Sequence, residues 1–246
     1  MKRLNWQILP GLSLLVLSAV LYLVHYAIFR DAHHIFLWSM TSFAFLPVSV
    51  LFVTLIINHL LSERDKRARL EKLQMVIGAF FSEVGTRLLA FLSDFDPNLD
   101  KVRKELMVAS DWSEQEFTTV SRRLKNYDYG VDIEKLHLED LRGFLVGRSS
   151  FSLRLLENPT LLEHESFTEL LQAVFHLTEE LAARKDTTQL PTSDRQHLAG
   201  DIRRAYILLV RQWLDYMEYL KGHYPYLFSL AVRTNPFDQN ASPIVA

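Results

Sequence analysis

The 246-residue sequence contains no cysteine, which excludes disulfide bonds, thiolate metal sites and a cysteine nucleophile. Glycine is scarce, at eight residues, and only Gly143 and Gly147 lie close together. The glycine-rich loops that hold phosphates in dinucleotide-binding and P-loop proteins are therefore absent. The net charge is −2, with acids and bases mixed along the chain, so the basic stripe of a nucleic-acid-binding protein is also missing. We expect no nucleic-acid partner.

Charged residues are missing from two long segments near the N-terminus. No Asp, Glu, Lys or Arg occurs in residues 8–29 or 35–61, whereas charges recur every few residues from Ser62 onward. A helix rises about 1.5 Å per residue, so about 20 apolar residues cross a hydrocarbon core of about 30 Å. The first segment is too long for a signal-peptide core and no small-residue cleavage site follows it. The sequence therefore predicts a transmembrane hairpin over residues 1–62, with helices at 8–29 and 35–61.

The distribution of basic residues predicts the orientation of this hairpin. Lys2 and Arg3 precede the first helix, while the turn at residues 30–34 holds a single arginine. Four basic residues closely follow the second helix: Arg64, Lys66, Arg67 and Arg69. Because basic flanking residues favour the cytoplasmic side, we expect both termini in the cytoplasm of a multi-pass protein. The same four residues are candidates for contact with anionic lipid headgroups.

A juxtamembrane amphipathic helix is predicted over residues 63–96. Apolar residues recur there at spacings of three and four, from Leu70 to Phe95, and no turn signal separates this segment from Leu61. The segment is therefore expected to continue the second transmembrane helix. The pattern leaves open whether the apolar stripe is buried within the chain or pairs with a second copy.

Residues 97–234 predict a helical domain. A capping box at Ser113 and Glu116 opens one helix, and similar boxes at Ser166 and Ser193 open two long helices that we expect to pack antiparallel. No run alternates with a period of two for long enough to predict a strand, so the fold class is all-α. The polar end of the chain, residues 235–246, is expected to be disordered.

Four strings stand out in the C-terminal hundred residues: LENP at 156–159, HE at 164–165, FHLTEEL at 175–181 and YPYLF at 224–228. They resemble strings in a set of uncharacterised prokaryotic membrane proteins that have two transmembrane helices and a C-terminal helical domain. The resemblance implies a bacterial or archaeal inner membrane. It implies no activity and no cofactor.

The two long helices carry the candidate metal ligands. Spacings of three and four residues place possible ligands on one face of each helix, as in the carboxylate-bridged helical bundles that hold metal pairs. The candidates are His176, Glu179, Glu180, His197 and Asp201. The alternative is a solvated face with ion pairs, since His176 and Glu180 fall on the polar side of their helix.

Three functions stay open at this stage. The leading hypothesis is a non-enzymatic scaffold, signalling or assembly component that self-associates or binds another protein through its helical domain, because no convincing catalytic set is present. A second is an oligomeric channel or transport component. Its pore would be lined by Ser39, Ser42, Ser49, Thr54 and Asn58. A third is a metal-dependent enzyme that uses the five candidate ligands.

Overall fold

The computed structural model describes residues 3–159, 161 and 164–245. These residues form helices joined by turns and contain no strand, which confirms the predicted all-α fold class. The chain divides into two compact units, Met1–Lys66 and Arg67–Ala246. Each unit is described separately below.

The first unit contains helix α1, Arg3–Phe29, and the beginning of helix α2, Ala32–Phe80. The turn between them is set by two residues. Arg30 adopts a left-handed backbone conformation with φ of 50° and ends α1. Asp31 then opens α2, because its Oδ1 accepts a hydrogen bond of 3.0 Å from the His34 N–H. Residues 10–29 and the α2 segment are long and apolar enough to cross a membrane, each with a window of mean hydropathy 2.2.

The second unit begins with the C-terminal part of α2, which is followed by a π-helical turn, Phe81–Gly85, and by α3, Thr86–Ser93. The predicted helix over 63–96 is therefore helical but interrupted. Its stripe is fully or nearly fully buried at Leu73, Ile77 and Leu88. This burial favours the first of the two alternatives: the stripe packs inside the chain.

The π-helical turn lets two neighbouring phenylalanines enter the core. The Phe80 ring packs edge-on against Phe167 at 5.5 Å, and the Phe81 ring stacks on Tyr216 at 5.2 Å. Gly85 makes this possible, since a Cβ at that position would lie 2.6 Å from Phe81 Cδ1. Phe81 is outside the three-and-four spacing of the stripe, so the sequence pattern did not predict its burial.

Five short helical segments follow: a 3₁₀ turn Leu99–Lys101, α4 Arg103–Leu106, α5 Glu114–Leu124, α6 Leu138–Gly147 and α7 Ser149–Leu156. The capping box before α5 is confirmed. Ser113 Oγ accepts from the Glu116 N–H at 3.3 Å, and a Glu116 carboxylate oxygen accepts from the Ser113 N–H. Both orphan N–H groups are thereby satisfied.

The two long helices are α8, Glu165–Ala183, and α9, Thr192–His223. Ser166 lies beside Gln212, at 3.3 Å between Oγ and Oε1, while Glu180 lies beside His197, so the predicted antiparallel packing is confirmed. The predicted caps were wrong. His164 Nδ1 caps α8 by accepting from the Phe167 N–H, and α9 follows Pro191 without a side-chain cap. Each helix begins two residues earlier than the boxes implied.

Helix α10, Pro225–Arg233, and the residues after it pack on the other helices of the second unit. Phe228 is buried in α10. The expected disordered segment begins with two buried residues instead. Asn235 Nδ2 donates to the Leu106 carbonyl at 2.8 Å, and the Phe237 ring packs edge-on against Trp213 at 5.1 Å. The Leu106 carbonyl, at the end of α4, also accepts from the Val108 N–H at 3.0 Å, so Asn235 supplies the second hydrogen bond to a carbonyl that no helical N–H reaches.

Candidate metal site and apolar groove

Four of the five predicted metal ligands meet between α8 and α9. His176 Nε2 lies 3.6 Å from Asp201 Oδ2, and His197 Nε2 lies 3.4 Å from the same oxygen. Glu180 is the fourth member, with one carboxylate oxygen 3.6 Å from His197 Nε2 and the other 3.9 Å from His176 Nε2. Glu179 is exposed and outside this group. We name the four residues the His-carboxylate cluster.

Arg184 holds one side of the cluster in place. Its Nη1 donates to Glu180 Oε2 at 2.8 Å, while Nη2 and Nε donate to the two oxygens of Asp194 at 2.6 and 2.8 Å. The hydrogen bond from the guanidinium holds the pKa of the Glu180 carboxyl, and likewise that of Asp194, below its ordinary value. Both acids are therefore ionised at neutral pH and can act as acceptors or ligands.

Asp201 occupies the centre of the cluster. Its side chain is 16% exposed, and its Oδ2 atom is buried without a hydrogen-bond partner among the described residues. A buried carboxylate oxygen without a partner is costly, since such a group ordinarily receives hydrogen bonds or binds a cation. The two imidazoles that approach Oδ2 are about half exposed, so the cluster is open on one side.

A second feature of the second unit is an apolar groove of about 650 Å³. It is lined by residues of α2, the π-helical turn, α9 and α10: Gln74, Met75, Gly78, Ala79, Phe81, Ser82, Thr86, Tyr216, Tyr219, Leu220, Tyr224, Leu227, Leu230, Ala231 and Thr234. Gly78 lets α9 approach α2 closely, because a Cβ there would lie 3.0 Å from Tyr216 Oη. The sequence analysis did not predict this groove.

The groove is apolar at its rim and carries one unsatisfied polar atom. Met75 and Leu227 are each more than half exposed, and Tyr226 beside the groove is 93% exposed. Gln74 Oε1 is buried without a hydrogen-bond partner among the described residues. An apolar rim with an available acceptor is typical of a surface that another molecule covers.

The predicted pore residues and lipid contacts occupy α2. Ser42, Thr54 and Asn58 are exposed, whereas Ser39 and Ser49 are half-buried. Ser49 Oγ donates to the Phe45 carbonyl at 3.2 Å, so its hydroxyl is satisfied within the helix. None of these five residues lines the described cavity of the first unit, where His25 stacks on His34. The basic residues Arg64, Lys66, Arg67 and Arg69 are all exposed. The channel hypothesis and the headgroup contacts stay predictions.

Sequence reasoning missed Arg184 and the groove-lining Tyr216. Arg184 follows Glu180 by four residues, and that spacing alone signals an ion pair on one helical face. Its second partner, Asp194, belongs to another helix and could not be assigned before the antiparallel packing was known. Tyr216 could not be assigned to the groove from the sequence, because its partner Phe81 is supplied by the π-helical turn.

Two family models match the chain. One is described as "MJ1433, N-terminal helical domain" and covers residues 2–61, and the other as "Uncharacterized protein MJ1433, C-terminal helical domain" and covers residues 69–233. The chain belongs to the MJ1433 family. It is 44% identical over 241 residues to "Uncharacterized protein MJ1433" of Methanocaldococcus jannaschii, which spans 98% of this chain and 97% of that protein. No solved structure matches the chain. Membership of the MJ1433 family confirms the resemblance to an uncharacterised family.

Proposed function

We propose that this MJ1433-family protein is a non-enzymatic, membrane-anchored adaptor that binds an apolar helical segment of a partner protein in the groove between α2, α9 and α10. Residues 1–62 form the membrane hairpin, with both termini in the cytoplasm of a prokaryotic cell. Residues 97–234, with the helix at 63–96, form the domain that binds the partner. The groove is the observation that carries this proposal.

The exposed side chains of the first unit support the membrane anchor. Leu23 is 69% exposed and Phe43 is 75% exposed, and other large apolar side chains along both helices are exposed as well. A surface of this kind is unfavourable in water, whereas the hydrocarbon core of a bilayer solvates it at no cost. The exposed basic residues after position 62 then face anionic headgroups on the cytoplasmic side.

The shape and chemistry of the groove support a helical partner. An amphipathic helix places its apolar side chains at spacings of three and four into grooves of this kind. Tyr216, Tyr219 and Tyr224 line the groove, and tyrosine combines a large apolar ring with a polar tip, which is why it is frequent at the centres of interfaces. Gln74 Oε1 offers the partner an acceptor that no described residue uses.

The absence of cysteine allows a direct test of the anchor. Single cysteines replace Ala32 in the turn of the hairpin and Gln239 near the C-terminus, both of which are exposed. We expect a membrane-impermeant maleimide to label Ala32→Cys in intact cells and to label Gln239→Cys only after lysis. The reverse pattern, or recovery of the chain in the soluble fraction, would contradict the proposed anchor.

Photo-crosslinking from the groove tests the partner. With a photoreactive amino acid at Met75, we expect one discrete adduct in native membranes, and its mass separates a second copy from a different protein. Leu230→Asp, which places a charge in the groove, should abolish the adduct. Ser229→Asp is the matched control, because Ser229 is exposed on the same helix but does not line the groove. An adduct that resists Leu230→Asp would refute the groove as the binding site.

A further inference from the structure

We propose that the His-carboxylate cluster is a divalent transition-metal site, with Zn²⁺ as the metal that its geometry fits best. Glu180 of α8 and His197 and Asp201 of α9 form the core of the ligand set. His176 of α8, whose Nε2 lies 3.6 Å from Asp201 Oδ2, is the fourth ligand. This proposal is independent of the groove, since it depends on other side chains and on another face of α9.

The interatomic distances in the cluster match a metal site better than a hydrogen-bonded one. Direct hydrogen bonds between nitrogen and oxygen measure about 2.7–3.2 Å. In a tetrahedral zinc site the metal–ligand bonds are about 2.0–2.2 Å, so neighbouring ligand atoms lie about 3.3–3.6 Å apart. Three of the observed Nε2–oxygen distances, 3.4, 3.6 and 3.6 Å, fall in the second range, and the fourth, from His176 to Glu180, is longer at 3.9 Å. One ligand atom from each of Glu180, His197 and Asp201 lies within 4.8 Å of the others.

The unpaired oxygen of Asp201 indicates what the cluster lacks. Oδ2 is buried, receives no hydrogen bond from the described residues, and lies between the two imidazole Nε2 atoms. Neutral imidazoles that present Nε2 lone pairs would leave this oxygen facing acceptors only. A cation at the centre satisfies the oxygen and both nitrogens together, because a metal accepts electron pairs from all three.

The ligand types select the class of metal. Imidazole nitrogen combined with carboxylate oxygen suits Zn²⁺, Mn²⁺ and Fe²⁺, whereas Mg²⁺ and Ca²⁺ prefer oxygen ligands throughout. His176 and His197 have side chains that are 51% and 53% exposed, which leaves a path for the ion and room for a water ligand.

Arg184 supplies an outer layer of support for the site. It binds Glu180 Oε2 at 2.8 Å and is itself fixed by both oxygens of Asp194. Hydrogen-bonded partners of this kind orient carboxylate ligands in established metal sites. Glu180 is thereby held in one rotamer, so that its carboxylate remains directed towards His197 without a bound metal.

Zinc titration of the full-length protein tests the site. The untagged chain is purified in detergent, treated with chelator and titrated with ZnCl₂ against a fluorescent zinc chelator. We expect one equivalent to bind. Loss of an outer partner lowers the affinity of such sites by about 10–100-fold, so loss of a direct ligand in His197→Ala or Asp201→Asn should lower it by about 100-fold or more.

Two controls make the result decisive. Glu179→Gln and His223→Ala change exposed residues of the same two helices outside the cluster, and both should bind zinc like the natural protein. Zinc should also raise the Tm of the natural protein and of both controls but not that of Asp201→Asn, whose fold is checked by circular dichroism. Absence of stoichiometric binding, or equal affinity in His197→Ala and His223→Ala, would overturn the proposal. Neither result would affect the groove.

Discussion

The two units use the same apolar residue types in opposite ways. Phe43 in the first unit is 75% exposed, whereas Phe167 in the second is fully buried. Leu23 and Leu171 show the same contrast. The second unit therefore covers its apolar side chains with one another, while the first leaves them exposed. Composition alone does not reveal this difference, because the chain as a whole has 49% hydrophobic residues, near the average of soluble proteins.

The largest difference between the units is expected when one phenylalanine ring is removed from each. Phe167→Ala should lower the free energy of unfolding of the second unit by about 3–5 kcal/mol, because it leaves a cavity against Phe80. Phe43→Ala removes an exposed ring and should change it by less than about 0.5 kcal/mol. Urea unfolding in detergent, followed by circular dichroism, measures both. Equal losses would break the distinction between the units.

Replacement of an exposed apolar residue by lysine should reverse this order, with a larger effect in the first unit than in the second. Val20 is near the middle of the first apolar segment, and lysine at the centre of a membrane helix costs about 2.5–3.5 kcal/mol. Val20→Lys should therefore reduce the fraction of chains whose Ala32→Cys reporter is labelled in intact cells. Leu153→Lys, at an exposed position of α7, should leave the labelling and the stability unchanged. Unchanged labelling in Val20→Lys would argue against a membrane-spanning α1.

Much of the fold could be predicted from local patterns. Three patterns depend only on neighbours in sequence: the charge-free segments, the spacing of apolar residues and the Ser113 box. Each of them coincides with a helix in the structure. The π-helical turn could not be predicted this way. Its need for glycine at position 85 depends on where the Phe80 and Phe81 rings lie in the folded chain. The buried tail was missed for a similar reason, since its partner Leu106 is 129 residues away in sequence.

The candidate site was predicted in part. Ligand spacing on each helix identified four of the cluster residues, and the antiparallel packing of α8 and α9 brings them together. Glu179 was included because a spacing of three from His176 is also compatible with one face, yet it is one position away from the face that meets α9. The groove was beyond prediction, since its lining comes from two stretches, residues 74–86 and 216–234, that are far apart in the sequence.

Replacement of a glycine by alanine should also destabilise the second unit more than the first. Gly85→Ala would bring a Cβ within 3.0 Å of both Phe80 and Phe81 and should cost about 1–3 kcal/mol through overpacking. Gly11 in α1 has no described atom within 4 Å of a Cβ, so Gly11→Ala should be neutral or slightly stabilising. Thermal unfolding of the two variants in parallel measures the difference. A fully tolerated Gly85→Ala would show that the π-helical turn can relax.

The smallest expected effect is a pH dependence at the capping box of α5 in the second unit. In the α5 capping box the Ser113 N–H, and then the Ser113 hydroxyl, donate to Glu116 and lower the pKa of its carboxyl. A pKa that is lower in the folded state stabilises the fold above the unfolded pKa of about 4.3, and this contribution is lost as the pH falls through the folded value. Glu116→Gln should therefore reduce the urea midpoint at pH 7, and the deficit should vanish as the pH is lowered below 4. Glu114→Gln, two residues earlier in the first turn of α5 and likewise exposed, is the control without these hydrogen bonds. A deficit that persists unchanged at low pH would mean that Glu116 acts through packing, because only the ionised carboxylate gains from the two donors.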